Sequence, residues 1–300
     1  MLKIAWSSIY NHPLPIGHRF PMDKYDLLPS QLLHEGTIVE QNIFEPRQLT
    51  QSEIVSVHKP TYWAKLQKVD FTRQEERRSG FPISEQLVKR ETTINAGTIQ
   101  CAEYALQYGM AMNIAGGTHH AFSDRAEGFC LLNDIAIASK HLLDHQKAKQ
   151  ILVVDLDVHQ GNGTAEIFKN EPRVFTFSMH GEHNYPLQKE QSDLDIPLKD
   201  GTDDKTYLSL LDRNLNMLLD KVEPDFIFYQ SGVDILETDK LGRLGLTIEG
   251  CKQRDQMVIE AAKKNNLPMV ASMGGGYSED IRDIIEAHAN TYRIAQTTFF

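Results

Sequence analysis

Residues 151–163 read ILVVDLDVHQGNG, an apolar run that passes directly into charged and small polar residues. The run is rich in β-branched residues and lacks polar alternation, which is typical of a parallel strand covered on both faces. We predict that this strand continues to His159, so that Asp155, Asp157 and His159 lie on one side of it. Buried carboxylates repel each other unless a cation or hydrogen bonds compensate them, so the stretch predicts a divalent-metal site. The alternative interpretation is a helix N-cap followed by a surface loop.

Three further apolar runs end in polar residues in the same way. The segments that follow them are Gly116-Gly117-Thr118-His119-His120-Ala121, Ser231-Gly232-Val233-Asp234 and Gly274-Gly275-Gly276-Tyr277. Asp234 adds a candidate metal carboxylate, a histidine can move a proton near neutral pH, and the glycines let the backbone approach a ligand and present Tyr277. A histidine pair alone is more often surface decoration, and a glycine run is usually a turn. Four such junctions together match the rule that places α/β sites beyond the carboxyl ends of strands.

The rest of the sequence alternates helix-like and strand-like segments. Six helices are predicted. The first spans Ser84 to Tyr108, the second begins at Asn133 or Asp134, and a short third helix follows Asn162. The fourth begins at Asp203 or Asp204, the fifth runs from Thr247 to about Asn265, and the sixth closes the chain. A strand is predicted to end at Asp234, and the charged stretch from Arg73 to Gly80 is predicted to be a solvated loop near the rim of the site. The alternation predicts a single α/β domain over residues 1–300, with a mostly parallel β-sheet flanked by helices on both faces.

Composition excludes some classes of function. The formal net charge is -10, which argues against general nucleic-acid binding, because that binding depends on lysines and arginines that neutralise phosphates. The same charge would suit a cationic protein substrate. The chain has three cysteines without paired spacing, and no apolar segment approaches the roughly 20 residues of a bilayer span. We therefore expect a cytoplasmic protein without nucleic-acid or membrane partners, and its oligomeric state is left open.

The polar segments, taken in order, resemble the zinc-dependent histone deacetylases and the related bacterial deacetylases of the arginase/deacetylase fold. The segments that carry the resemblance are residues 116–121 (GGTHHA), 128–134 (GFCLLND), 155–163 (DLDVHQGNG), 231–234 (SGVD) and 274–277 (GGGY). Together they are highly specific, and the resemblance runs through nearly the whole chain. Residues 17–25 (GHRFPMDKY) are most similar to the class IV branch of the family.

The resemblance implies a zinc-dependent hydrolase that removes acetyl or longer acyl groups from lysine side chains. Asp157, His159 and Asp234 would bind one zinc ion, and three protein ligands leave a position for water and the substrate carbonyl. His120 would be the general base and His119 its electrostatic partner. The other implied catalytic residues are Asp155, which would hydrogen-bond His119, Asn162, which would hydrogen-bond His120, and Tyr277, which would donate to the oxyanion.

The resemblance also implies where the substrate and a second cation bind. Phe129 and Gly128 would line an acyl-lysine channel, and Arg19 would line an inner cavity for released acetate. Many relatives carry Asp at the position of Asn162, and a neutral amide stabilises an imidazolium less than a carboxylate does, so His120 is expected to be less basic here. A structural potassium ion would lie near Asp155, Asp157, His159, Ser178 and Met179.

Several alternatives stay open. An arginase-like hydrolase binds two manganese ions and needs an Asp two residues after the metal-binding histidine, where this chain has Gly161. A non-catalytic reader of acyl-lysine would be expected to lack a ligand, a histidine or the tyrosine, and none of these is missing. Within the enzyme interpretation the substrate is an acyl-lysine protein or a small acylated amine such as an acetylpolyamine, and no sequence feature decides between them.

Overall fold

An eight-stranded sheet forms the centre of the computed structural model, which describes all residues from 1 to 300. Every strand pairing in this sheet is parallel. The strands are β1 (Lys3–Ala5), β2 (Ile43–Phe44), β3 (Met110–Asn113), β4 (Ile151–Asp155), β5 (Val174–Gly181), β6 (Leu194–Leu198), β7 (Phe226–Gln230) and β8 (Met269–Ser272). The residues of β3, β4, β7 and β8 are all buried, as expected for parallel strands covered on both faces.

Ten α-helices surround the sheet, with two short 3-10 helices at Ser8–Tyr10 and Glu40–Asn42. The α-helices are α1 (Lys24–His34), α2 (Gln51–Val55), α3 (Pro60–Gln67), α4 (Arg73–Ser79), α5 (Glu85–Tyr108), α6 (Asp134–Asp144), α7 (Asn162–Phe168), α8 (Asp204–Val222), α9 (Ile248–Lys264) and α10 (Ile281–Phe299). Four predicted starts are confirmed by side chains that accept a backbone N–H of the first turn, namely those of Ser84, Asn133, Asp203 and Thr247. None of the helices combines the length and the apolar character of a membrane span.

The strand order brings the four polar junctions together. That order is β2-β1-β3-β8-β7-β4-β5-β6, so the four strands that precede the junctions are consecutive neighbours. The last residues of these four strands form one row across the sheet, in the order Asn113, Ser272, Gln230 and Asp155. Because parallel strands all end at the same edge, the four polar loops emerge side by side.

Two groups of helices cover the sheet. Helix α5 packs against β1, β3, β8 and α6, whereas α10 packs against α1 and α9, and α9 packs against α8. One continuous hydrophobic core joins these layers. The predicted α/β class, with a parallel sheet flanked by helices, is therefore confirmed.

Both strands that lead to the metal-site residues end earlier than predicted. Strand β4 ends at Asp155 and not at His159, and β7 ends at Gln230 and not at Asp234. The prediction that strand alternation places Asp157 and His159 is therefore wrong. Beyond Asp155 the backbone bonds to side chains: Asp157 N–H donates to Asp155 Oδ1 at 3.2 Å, and His159 N–H donates to Asp157 Oδ1 at 3.0 Å. These local bonds replace the strand ladder.

The charged stretch that starts at Arg73 is a helix, so the predicted loop is wrong. Thr72 and Glu75 form a capping box, in which Glu75 N–H donates to the Thr72 hydroxyl at 3.3 Å and Thr72 N–H donates to Glu75 at 2.8 Å. Gly80 ends α4 in the left-handed region, with a φ of 79°. Both signals are present in the sequence, and they outweigh the preference of a charged run for solvent.

Candidate active site

Asp157, His159 and Asp234 converge at the carboxyl end of the sheet. All three side chains are buried, and their ligand atoms lie within 4.8 Å of one another. His159 Nδ1 is 3.1 Å from Asp157 Oδ1 and 3.0 Å from Asp234 Oδ2. The structure therefore brings together the three residues that were predicted to be metal ligands.

The chemistry of this cluster fits a divalent cation. Burial, followed by the charge of Asp157, raises the pKa of Asp234 to about 7. Burial alone would lower the pKa of His159, but Asp157 and Asp234 outweigh burial and raise that pKa to about 10. The two carboxylates thus require a positive charge beside them. One imidazole and two carboxylates are a ligand set that zinc accepts, and the absence of a fourth protein ligand is typical of a catalytic site.

Backbone N–H groups hold the two carboxylates in place. Gly275 N–H donates to Asp157 Oδ2 at 2.9 Å, and Val158 N–H donates to Asp234 Oδ1 at 2.9 Å. A side chain at position 275 would overlap Asp234 Oδ2, so only glycine lets the backbone come this close. The close approach of the glycine run agrees with the sequence prediction.

His119 and His120 follow β3 and have different hydrogen-bond partners. His119 Nδ1 lies 2.7 Å from Asp155 Oδ2, and His120 Nδ1 lies 2.7 Å from Asn162 Oδ1. Both rings are buried, and their centroids are 4.2 Å apart. The structure contains both of the side-chain pairs that the resemblance implied.

Asp134 anchors the loop that carries the two histidines. Its Oδ1 accepts hydrogen bonds from the Thr118 N–H at 2.8 Å and from the Thr118 hydroxyl at 2.9 Å. Its Oδ2 accepts from Thr98 at 2.7 Å and from Ser272 at 3.1 Å. Asn133, the other predicted cap, caps α6 and leaves the Asp134 side chain available for this loop.

Glu127 fixes the orientation of the Asn162 side-chain amide. Asn162 Nδ2 donates to Glu127 Oε1 at 2.9 Å, and the Tyr185 hydroxyl donates to the same oxygen at 2.7 Å. A carboxylate only accepts, so Asn162 must turn its amide oxygen toward His120. His120 Nδ1 consequently carries a proton, and His120 Nε2 keeps a free lone pair. This tautomer is the one that a general base requires.

The two histidines differ in basicity. Burial alone would lower the pKa of His119, but Asp155 and Asp157 outweigh burial and raise that pKa to about 9. Burial, together with positive charge on His119 and His159, lowers the pKa of His120 well below its usual value. His119 is therefore the more basic ring, whereas burial and neighbouring positive charge favour the neutral form of His120, which can accept a proton.

Tyr277 lies beside the metal-ligand cluster. Its N–H donates to Asp239 Oδ2 at 2.6 Å, which fixes the backbone after the glycine run. The ring centroid is 6.4 Å from that of His159 and 6.0 Å from that of Phe129. Burial and the nearby carboxylates raise the pKa of the phenol well above its usual value, so the hydroxyl stays a proton donor.

A pocket of about 330 Å³ joins this cluster to the surface. His120, His159 and Tyr277 line it, together with the predicted channel residues Gly128 and Phe129. The remaining lining residues include the aromatic side chain of Tyr185, the aliphatic side chain of Leu241 and three arginines, Arg19, Arg77 and Arg78. A substrate in this pocket would therefore meet His120, His159 and Tyr277, beside the aromatic rings of Phe129 and Tyr185.

Gly128 and Phe129 form a tight turn that is bound to the end of α4. Their φ angles are 52° and 66°. Gly128 N–H donates to the Arg78 carbonyl at 3.1 Å, and Phe129 N–H donates to the Ser79 carbonyl at 2.7 Å. A positive φ at a bulky residue is strained and persists only where the surrounding structure enforces it. The end of α4 therefore holds the phenyl ring in the pocket wall.

Arg19 lies at the outer part of the pocket, so its predicted inner-cavity position is wrong. Its side chain is exposed, and its guanidinium carbon is 5.1 Å from the centre of the Phe129 ring. An inner cavity of about 30 Å³ is lined instead by the buried Arg90. The buried Lys24 donates to the carbonyl of Gly274, which also lines this cavity, at 3.2 Å. A third cation there would be buried without a partner, which is strongly unfavourable.

Three residues that shape the site were not identified from the sequence: Glu127, Tyr185 and Arg254. Glu127 and Tyr185 lie in loops, where no periodic pattern marks them. Arg254 is fully buried on α9 and donates to backbone carbonyls in both metal-site loops. Its helical spacing from the buried Cys251 and Val258 places it on the apolar face of α9, and this is the signal that identifies it.

Nearly the whole chain matches one family model, the histone deacetylase domain, over residues 18–292. The chain belongs to the histone deacetylase family. Membership in this family makes it an amide hydrolase of the deacetylase kind. An uncharacterised protein of Picosynechococcus sp. (strain ATCC 27264 / PCC 7002 / PR-6) is 43% identical over 296 residues, which are 99% of each chain. Type-1 histone deacetylase 1 of Dictyostelium discoideum is 32% identical in an alignment of 290 residues that covers 89% of this chain and 56% of that protein.

Solved structures of histone deacetylase homologues share the fold. A homologue in complex with SAHA has a TM-score of 0.85 and 24% sequence identity, over 99% of this chain and 84% of that chain. The homologue from Aquifex aeolicus has a TM-score of 0.84 and 24% identity, over 98% of this chain and 84% of that chain. These likenesses confirm the arginase/deacetylase fold.

Proposed function

We propose that this member of the histone deacetylase family hydrolyses the amide bond of acyl-lysine side chains, with one zinc ion bound by Asp157, His159 and Asp234. One observation carries the proposal: His159 of the three-residue cluster, the His120 ring that is hydrogen-bonded to Asn162, and the Tyr277 phenol line a single pocket. A structural zinc site would have four protein ligands, whereas this cluster has three and adjoins the pocket.

The residues of the chain would share the chemistry as follows. A bound zinc ion supplies Lewis acidity, which polarises the acyl carbonyl and makes water more acidic. His120 Nε2 accepts a proton from the attacking water, because its Nδ1 proton is donated to Asn162, and then protonates the leaving amine. His119, hydrogen-bonded to Asp155, would be the electrostatic partner of His120. The Tyr277 hydroxyl donates a hydrogen bond to the carbonyl oxygen as that oxygen becomes negative, and Phe129 keeps water away from the acyl chain.

Metal content and turnover test this function together. We expect about one zinc ion per wild-type chain, with hydrolysis of an acetyl-lysine peptide, and loss of both in Asp157→Asn and Asp234→Asn. Elemental analysis and amine release are the measurements. Asp220→Asn, at an exposed position on α8, is the matched control. Full metal content and turnover in both site variants would contradict the proposal.

The finer parts of the proposal concern the second cation and the substrate. Asp155 and Ser178 are register partners in β4 and β5, which supports a structural potassium site near Asp155, Asp157, His159, Ser178 and Met179. An acetylpolyamine is the alternative substrate, but no carboxylate lines the pocket to bind its ammonium groups. The class IV branch, the single catalytic domain over residues 1–300 and the cytoplasmic location stay predictions.

A further inference from the structure

Three arginines lie at the exposed part of the pocket. Arg77 and Arg78 belong to the last turn of α4, whereas Arg19 comes from the segment before α1. All three are exposed, and all three line the same pocket as His120 and His159. Two separate segments of the chain therefore bring positive charge to the entrance of the proposed active site. We call these three residues the arginine rim.

The protein itself does not neutralise the arginine rim. No carboxylate lines the pocket, and none of the three guanidinium groups takes part in an ion pair. The neighbouring carboxylates have other partners: Glu75 pairs with Lys65, Asp124 pairs with Lys59, Glu76 accepts from the Ile83 N–H, and Glu127 accepts from Asn162 and Tyr185. The net charge of the chain is -10, so the rim is opposite in sign to the molecule as a whole.

Helix electrostatics explain only part of the arginine rim. Cationic side chains in the last turn of a helix stabilise its dipole, which accounts for Arg77 and Arg78. The dipole does not account for Arg19, whose guanidinium carbon lies 5.1 Å from the centre of the Phe129 ring in the pocket wall. Three like charges repel one another, and this repulsion is relieved when an anion binds among them.

We propose that the site prefers substrates with carboxylates beside the acylated amine, in the form of acyl-lysine flanked by Asp or Glu. This inference rests on the proposed function. The acyl carbonyl must reach the buried cluster of Asp157, His159 and Asp234, so the groups that flank the acylated lysine stay at the exposed end of the pocket. The anionic groups therefore belong to the amine side of the substrate, which stays at the rim. Guanidinium groups suit this task because their N–H donors match the two oxygens of a carboxylate.

The same chemistry excludes some substrates and admits one other source of the anion. Lysine-rich segments and acetylpolyamines carry positive charge to a positive rim, so both are expected to be poor substrates. The α-carboxylate of free Nε-acetyl-lysine offers the rim the same group as an acidic flanking residue. Comparison of free Nε-acetyl-lysine with its α-amide separates this source from a peptide source.

Three peptides that differ only in the residues beside acetyl-lysine test the proposal. The acetyl-lysine is flanked on both sides by Glu, by Gln or by Lys. We expect kcat/KM to follow the order Glu, Gln, Lys, with about a two- to fivefold step for each exposed charge pair. Sodium chloride at about 0.5 M should reduce the differences, because salt screens exposed charges. Peptide affinity, measured by fluorescence anisotropy, should follow the same order.

Arginine variants assign the preference to the rim. In Arg77→Gln/Arg78→Gln, and further in the triple variant with Arg19→Gln, the Glu-to-Lys peptide ratio should fall toward one. Arg213→Gln, at an exposed position on α8 outside the pocket lining, should keep the wild-type ratio. Circular dichroism verifies that each variant is folded.

The outcomes separate this proposal from the proposed function. Equal values for the Glu and Lys peptides, a preference for Lys, or a Glu preference that survives in the triple variant would overturn the role of the rim. If no peptide is hydrolysed, the proposed function fails, whereas the anisotropy ratio still decides whether the rim binds carboxylates. If free Nε-acetyl-lysine is preferred over its amide while the peptides are equal, the proposal of a flanked acyl-lysine is overturned in favour of the free amino acid.

Discussion

Arg254 donates a hydrogen bond of 2.5 Å to the carbonyl oxygen of Gly232, two residues before Asp234. The same guanidinium donates to the carbonyl oxygen of Leu156 at 3.3 Å, in the other metal-site loop. Its ion-pair partner is Asp255, at 2.7 Å, and both side chains are fully buried. One buried arginine on α9 thus connects the loops that follow β4 and β7.

Replacement of Arg254 by Lys should weaken both the fold and the metal site. Lysine keeps the charge but lacks the planar set of donors, so at least one buried carbonyl loses its partner. We expect the free energy of unfolding to fall by about 1–3 kcal/mol, and zinc binding to weaken by about tenfold or more. Urea unfolding and zinc titration measure the two effects. Arg173→Lys, in an exposed ion pair with Glu171, is the control, and wild-type zinc affinity in Arg254→Lys would refute the connection.

Replacement of His120 should lower the rate of hydrolysis more than replacement of His119. His120→Ala should nearly abolish hydrolysis, since it removes the proposed base, whereas His119→Ala should be milder. General acid-base groups typically contribute about 10²- to 10⁴-fold. Steady-state kinetics on zinc-loaded variants provide the measurement. Equal activity of wild type and His120→Ala with zinc bound would remove His120 from the mechanism.

Glu127→Gln should lower kcat without unfolding the protein. A glutamine both donates and accepts, so it no longer forces the Asn162 amide to turn its oxygen toward His120. We expect kcat to fall about tenfold with little change in KM, because the wrong tautomer affects the transition state more than binding. Nitrogen-15 NMR of His120 detects the tautomer. Glu166→Gln, which alters only a contact with Ser123, is the control, and an unchanged tautomer would contradict the role of Glu127.

Tyr277→Phe separates catalysis from binding. The variant keeps the aromatic ring and deletes only the hydroxyl, whose proposed hydrogen bond forms mainly in the transition state. We expect normal peptide affinity and a kcat at least about tenfold lower, a cautious figure for the loss of an oxyanion donor. An unchanged kcat would exclude the oxyanion role. If the wild-type protein binds acyl-lysine but hydrolyses no acyl substrate, the reader hypothesis is favoured.

His58 should make the fold sensitive to acid. Its Nδ1 lies 2.9 Å from the Phe122 carbonyl, and its Nε2 accepts from Asn133 N–H at 3.0 Å, so the ring is held neutral. Burial lowers its pKa from 6.5 to about 4. The unfolded chain therefore binds the proton more tightly, and stability is lost as the pH falls from 6.5 toward 4, by at most about 1.4 kcal/mol per pH unit.

The measurement for His58 is urea unfolding of wild type and His58→Gln across this pH range. The variant is less stable overall, but the difference in unfolding free energy between the two proteins should shrink as the pH falls. His145→Gln, at an exposed position, should leave the pH dependence of wild type unchanged. A constant difference between wild type and His58→Gln would show that His58 does not titrate with unfolding.

The sequence was sufficient to predict that the polar residues after four strands lie at one edge of the sheet, whereas their roles stay predictions. The order of the strands in the sheet could not be predicted from those segments. Because parallel strands all end at the same edge of a sheet, the positions of the strand ends were enough to predict a single site. The prediction that β4 reaches His159 was wrong because the backbone N–H groups of Asp157 and His159 bond to nearby side-chain carboxylates and not to a neighbouring strand. The position of Arg19 was predicted wrongly because the motif at residues 17–25 does not show which of its cationic side chains is buried with a hydrogen-bond partner. The net charge could not predict the arginine rim either, because it does not show where on the surface the charged residues lie.

Gly161 limits the number of metal ions that this backbone can bind. The backbone at this position lies against Asp155 so closely that any Cβ would overlap Asp155 Oδ2. A substitution that introduced a carboxylate for a second ion would first displace the acceptor of His119. A second metal carboxylate at position 161 therefore requires the loop after β4 to be rebuilt.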